Sequence, residues 1–159
     1  MRQFDAAIEQ FESVLRLPAD AHNNRWRPSA GVWLASCHLD RGDPAAALDA
    51  AHRAQHALDE AGPFMFAAKL PALTTTALVR LGRSDECEDP QALVEQARRH
   101  EIGYVVMAAL EARAEWLFAR GDFAQLLLCT DELLREATDR GLPQARAAAA
   151  HWRALAQTV

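Results

Sequence analysis

Residues that favour strands are nearly missing from this sequence. Of 159 residues, 7 are Val, 2 are Ile and 1 is Tyr, against 34 Ala and 20 Leu. Ala and Leu are strong helix formers, whereas β-branched and aromatic side chains favour sheets. A sheet protein is therefore excluded and an all-α chain is expected. Long apolar runs are missing as well. The longest reach about six residues, as in Val105 to Leu110, whereas a membrane span needs ~20. Residues 1–5 lack the apolar core of a signal peptide. Lys is almost absent, with Lys69 alone beside 16 Arg, and the net charge is −5. That charge offers no basic footprint for nucleic acid. The three Cys, at 37, 87 and 129, are too far apart for a metal or redox pair, and their odd number argues against a disulfide framework. The expectation is a cytoplasmic protein with reduced thiols and neither a nucleic-acid nor a membrane partner. Phosphate loops, dinucleotide fingerprints and nucleophile–base pairs are not legible, so neither an enzyme nor a cofactor is expected.

What is present is regular punctuation. Gly42, Gly82 and Gly121 are spaced by 40 and 39 residues, and Gly62, Gly103 and Gly141 by 41 and 38. Glycine suits a helix C-terminus because it takes the left-handed conformation without steric cost. Asp43-Pro44 and Asp89-Pro90 place an N-cap acceptor before a first-turn Pro, and Asp122 follows Gly121. Between the breakers the apolar residues recur at helical spacing, as in Ala47, Leu48, Ala51, Ala54 and Leu58. The pattern predicts eight antiparallel helices, over 3–17, 27–40, 44–60, 64–81, 90–101, 104–119, 122–139 and 143–157. A helix pair repeated every 40 residues or so is the signature of an α–α superhelix, here a single domain over 1–159. One longer connection, Arg83 to Asp89, is acidic and aperiodic.

The segment from Phe4 to Pro18 resembles the second helix of a tetratricopeptide repeat, in the placing of Phe4, Ala7, Phe11 and Pro18. The next unit keeps small residues at Ala35, Ala47 and Ala54 around the turn at Gly42-Asp43. The unit at Gly121-Asp122 keeps Ala114 and Phe123 but carries Leu126 and Leu133 where small residues are usual. The unit at Gly82 matches least. Repeats near 40 residues resemble the divergent tetratricopeptide-like repeats of bacterial regulatory proteins. The resemblance implies a helical solenoid that binds a protein or peptide in a concave groove, as an adaptor or scaffold, or as a sensory segment of a larger bacterial regulator. It would begin in a second helix and end in a first helix, so both ends read as unfinished, whether because the chain continues or because another copy covers them. The apolar stripe of the first helix makes Phe4, Ile8 and Phe11 candidate contacts of a homo-oligomer.

In such solenoids the groove is lined by the first helix of each pair. Aligned on the turn glycines, the groove candidates are Ser36, Lys69, Thr76, Glu111, Glu115 and Phe118. The Lys/Asn clamp with which some relatives grip a terminal carboxylate is missing, since Val32, Ser36, Ala72 and Thr76 hold those places. Glu111 and Glu115 suit a basic or hydroxyl-rich ligand, or else form a solvated face near Arg113. His52 and His56 have a spacing that could hold a metal, but no motif supplies a third ligand, and a solvated face is expected there. No metal site is predicted. Trp26, in the basic and aromatic turn 23–28, is expected to pack into a helix junction. Trp33, Trp116 and Trp152 read as packing or groove residues. Cys87, among carboxylates, reads as a poor nucleophile.

Overall fold

The computed structural model describes residues 2–17, 26–61 and 65–158. These form eight α-helices and two short 3₁₀ turns, with no strand among the described residues. The helices are α1 (Arg2–Arg16), α2 (Arg27–Arg41), α3 (Pro44–Ala61), α4 (Leu70–Arg80), α5 (Pro90–Arg99), α6 (Gly103–Ala119), α7 (Phe123–Asp139) and α8 (Pro143–Gln157). The 3₁₀ turns are Met65–Lys69 and Ser84–Glu86. Pro18, residues 23–25 and Gly62, all used in the reading above, lie outside the described residues.

Local chemistry sets most of the boundaries. The carboxylates of Asp43, Asp89 and Asp122 accept from the backbone N–H of Ala46, Gln91 and Gln125 at 3.1, 2.9 and 3.1 Å. Each satisfies a donor that the first helical turn leaves unpaired. The bond to Ala46 is the main reason that the Asp43 carboxyl is held below its ordinary pKa. At the other ends, Gly42, Gly82, Gly121 and Gly141 have φ of 82°, 73°, 73° and 65°.

Two expectations fail. The helix predicted over 64–81 begins as a 3₁₀ turn and becomes α-helical only at Leu70. Pro71 has no N–H to donate to the carbonyl of Ala67, so an α-helix cannot run through that turn with its bonds intact. Gly103, predicted to close a helix, instead opens α6. The left-handed residue after α5 is Glu101, with φ of 55°. The Arg140 side chain lies over Gly103, its Nη1 2.9 Å from where a Cβ would be, and its flexible end could swing aside for one.

Helices adjacent in sequence pack together, and α2, α4, α6 and α8 also touch in that order. Neighbours among α1, α3, α5 and α7 have no comparable contact. Two layers result, and the even-numbered layer is the tighter one, hence the inside of an α–α solenoid. Small residues bring α2 against α3: a Cβ on Gly31 would fall 2.6 Å from that of Ala54. The exception to the regular stacking is α5, which barely touches α4 and rests on α6. The residues 83–89 carry it there. Trp116 Nε1 donates to the Ser84 carbonyl at 3.2 Å, and the Arg120 guanidinium lies 4.7 Å from the Trp116 ring centroid and 3.3 Å from Asp85. The acidic loop is thus partly neutralised by its own neighbours.

The interior divides accordingly. One core joins Ile8, Val32, Leu34, Ala51, Leu73 and Leu78 from α1 to α4. The other joins Val94, Val105, Leu110, Leu126, Leu133 and Ala149 from α5 to α8, together with Ala72 of α4. Leu126 and Leu133, the departures from the small-residue pattern, are fully buried and fill the second core.

Candidate binding groove

The inner layer forms a groove with two adjoining lobes. The first has a volume of about 430 Å³ and lies between Ser36 and Asp40 of α2 and His151 and Trp152 of α8. Its floor includes Ala72, Thr76 and Arg80 of α4 and Ala108, Glu111 and Glu115 of α6. The second, about 360 Å³, is bounded by Tyr104, Met107, Leu142 and Pro143. Lys69, Ala108 and Glu111 border both lobes. Small residues at 72, 108, 145 and 148 keep the floor low.

Five of the six groove candidates, Ser36, Lys69, Thr76, Glu111 and Glu115, therefore converge on the first lobe. Phe118 does not line it. Its ring packs 5.8 Å from Trp152 and 6.0 Å from Phe123, half-buried against the second core. Phe118 lies two turns beyond Glu111 on the same helix face, but its ring is taken up by Trp152 and Phe123 instead.

The polar chemistry is specific. Lys69 stands at the end of the 3₁₀ turn, just before Leu70-Pro71. Its ammonium donates to Ser36 Oγ at 3.2 Å and lies 5.2 Å from the Trp33 ring centroid. Ser36 Oγ in turn donates to the Val32 carbonyl at 3.2 Å. Burial lowers the Lys69 pKa, while Asp40, Glu111 and Cys37 pull it back up. Burial pushes the Glu111 carboxyl up. Lys69 opposes that shift, and Asp40 and Glu115 add to it. Among the described residues the Glu111 carboxylate has no hydrogen-bond or ion-pair partner.

Glu115 is occupied. Arg80 holds it by two hydrogen bonds, of 2.6 and 3.2 Å, and also donates to the Leu39 carbonyl at 2.8 Å. This clamp ties α2, α4 and α6 together at one end of the groove. The expected proximity of Glu111 and Glu115 to Arg113 does not pair them, because Arg113 and Arg98 both turn to Glu132. Tyr104, at the second lobe, ends an aromatic row that runs back to α2. Trp33 and Phe66, then Phe66 and Tyr104, stand 5.7 Å apart between centroids. The Tyr104 hydroxyl oxygen is buried without a hydrogen-bond partner.

The alignment on turn glycines missed Asp40, Arg80, Tyr104 and His151. A signal for three of them was present. Asp40 is one turn beyond Ser36, Arg80 one turn beyond Thr76, and Tyr104 two turns before Glu111, so each continues a series already identified. His151 lies in α8, where no turn-to-turn series had been drawn.

The other candidates lie elsewhere. Ile8 is buried in the first core, Phe11 is half-buried against it, and Phe4 remains 36% exposed. The stripe of α1 is thus largely covered by its own chain. Trp26 is 53% exposed at the start of α2. His56 faces Glu60 at 3.6 Å, and His52 edges an outer cleft of about 450 Å³ between α3, α4 and α5. That cleft is the space left by the displacement of α5. Its Arg83 and Glu86 are paired by two bonds of 2.7 Å. The Cys87 thiol there is raised by burial and by Glu86 and Asp85. Among the described residues no group of three His, Cys, Asp or Glu is placed to hold a metal, and no helix is long and apolar enough to cross a membrane.

Comparison with protein-family models, with curated proteins and with solved structures gives no match.

Proposed function

We propose that the chain is a non-enzymatic interaction module, of the tetratricopeptide-like kind, whose groove takes an extended segment of a protein partner. One observation carries this reading: side chains from α2, the 3₁₀ turn, α4, α6 and α8 converge on two lobes placed end to end, with Glu111 unpaired between them. A groove of linked lobes with a low alanine floor suits an extended chain, whose successive side chains point to alternate sides. The nucleophile candidates of the groove support a binding role over catalysis. Ser36 Oγ gives its proton to a carbonyl and receives one from Lys69, so no base activates it. The Cys37 thiol is pushed up by burial and by Asp40, which disfavours the reactive thiolate.

The test is selection from a displayed random-peptide library, followed by titration of the enriched peptides against wild type and Ala108→Phe. Ala108 borders both lobes, and a phenyl ring there fills their junction. Binding should weaken at least about tenfold, or ~1.4 kcal/mol, with the helical circular dichroism retained. Failure to enrich any peptide, or equal binding to the folded variant, would refute the proposal.

A further inference from the structure

We infer that the groove selects its partner through one positively charged side chain, Arg or Lys, seated on Glu111, with an apolar neighbour in the Tyr104 lobe. The inference rests on the groove being the peptide site and adds the chemistry of its ligand.

Charge balance argues for it. The fixed charges lining the first lobe are Asp40 from α2, Lys69 from the 3₁₀ turn, Arg80 from α4, and Glu111 and Glu115 from α6. Glu115 is answered by Arg80 through two hydrogen bonds. Lys69 alone stands against both Asp40 and Glu111, leaving one negative charge in excess. Glu111 is half-buried and makes no hydrogen bond to another side chain or backbone group, so burial raises the cost of its charge, which an incoming cation offsets through a charge-assisted bond. An anionic side chain would meet the same excess charge, and Lys69 is already engaged by Ser36 and Trp33.

Shape argues the same way. Tyr104 and Met107 line the second lobe next to Glu111, a surface against which a long aliphatic stem can lie while its charged end reaches the carboxylate. Met107, Leu142 and Pro143 line the lobe beyond Glu111 with apolar surface, which suits an uncharged neighbour on the same segment.

The experiment uses N-acetyl-argininamide and its neutral isostere N-acetyl-citrullinamide, titrated into the isotope-labelled chain and followed by NMR at Glu111, Lys69 and Ala108. The arginine probe should bind in the millimolar range and shift these residues together, and the citrulline probe should bind at least fivefold more weakly. Glu111→Gln should weaken arginine binding about tenfold. Lys69→Met, which removes the competing cation, should strengthen it severalfold. This opposite sign is what a merely structural role for the two residues would not give. Equal binding of both probes, unchanged binding to Glu111→Gln, weaker binding to Lys69→Met, or no shift at tens of millimolar would each overturn the inference. Peptides enriched by selection that bind the groove without a basic residue would overturn it while leaving the binding module standing.

Discussion

Replacing Gly31 with Ala sets two known effects against each other. Gly31 lies inside α2, where Ala is better by about 1 kcal/mol on helix propensity alone. Against this stands the approach to α3. The new methyl would sit 2.6 Å from Ala54 Cβ, 3.0 Å from its Cα and 3.3 Å from its N. Carbon atoms pack best at roughly 3.5–4.0 Å, so the two helices must part by about 1 Å. Neither methyl has a rotamer by which to escape, and backbone stands behind both. The cost therefore belongs at the upper end of the range for overpacked cores, about 3 kcal/mol. The steric term wins, and the net loss is ~2 kcal/mol. For a chain of this size that lowers Tm by about 4–8 °C. Thermal and urea unfolding followed by circular dichroism at 222 nm measure it. Adding Ala54→Gly removes the worst contact, so the double variant should be more stable than the sum of its parts, a coupling that a double-mutant cycle reads directly. A Gly31→Ala chain as stable as wild type, or more so, would mean that α2 and α3 can separate at no cost, and the account of their close packing would be wrong.

Two further predictions concern titrating groups. Burial holds the Glu111 pKa above its ordinary 4.5, so the ionised carboxylate destabilises the fold at neutral pH, and the penalty fades as pH falls below the unfolded value. Glu111→Gln should accordingly raise Tm at pH 7, with the difference closing below about pH 4; a lower Tm at pH 7 would contradict this. The Cys129 thiol is fully buried and pushed up to about 11, so iodoacetamide at pH 8 should leave it unmodified in the native protein while half-buried Cys37 and Cys87 react first. Mass spectrometry of digested protein reads the order, and early labelling of Cys129 would refute it.

The fold was legible because its information is local. The Asp caps and glycine stops place helix ends within about two residues, and Ala and Leu at helical spacing decide the class. The misses came where one local cue masked another. Gly103 looks like any other turn glycine, although Glu101 takes the left-handed position after α5, and Met65–Lys69 looks helical until the missing donor of Pro71 is counted. The groove was legible for the same local reason, since Lys69, Ala72 and Thr76 share a helical face, as do Glu111 and Glu115. What could not be read was the pairing across helices. Nothing near Arg80 in sequence says that it claims Glu115, 35 residues away. Yet that pairing is what leaves Glu111 as the unanswered charge. Trp152, on the last helix, could be read only as a packing or groove residue, and the structure gives it both roles.

The stacking of the helices also bears on how the chain acquires its structure. Each substantial contact joins helices that are neighbours, or next neighbours, in sequence. Such low contact order favours rapid folding, and it suits synthesis from one end to the other. As each helix is completed, the surface it needs has already been made, and it waits on no distant segment. The first core can form before the residues of α5 exist, with α4 left holding Ala72 toward the space that α6 will fill.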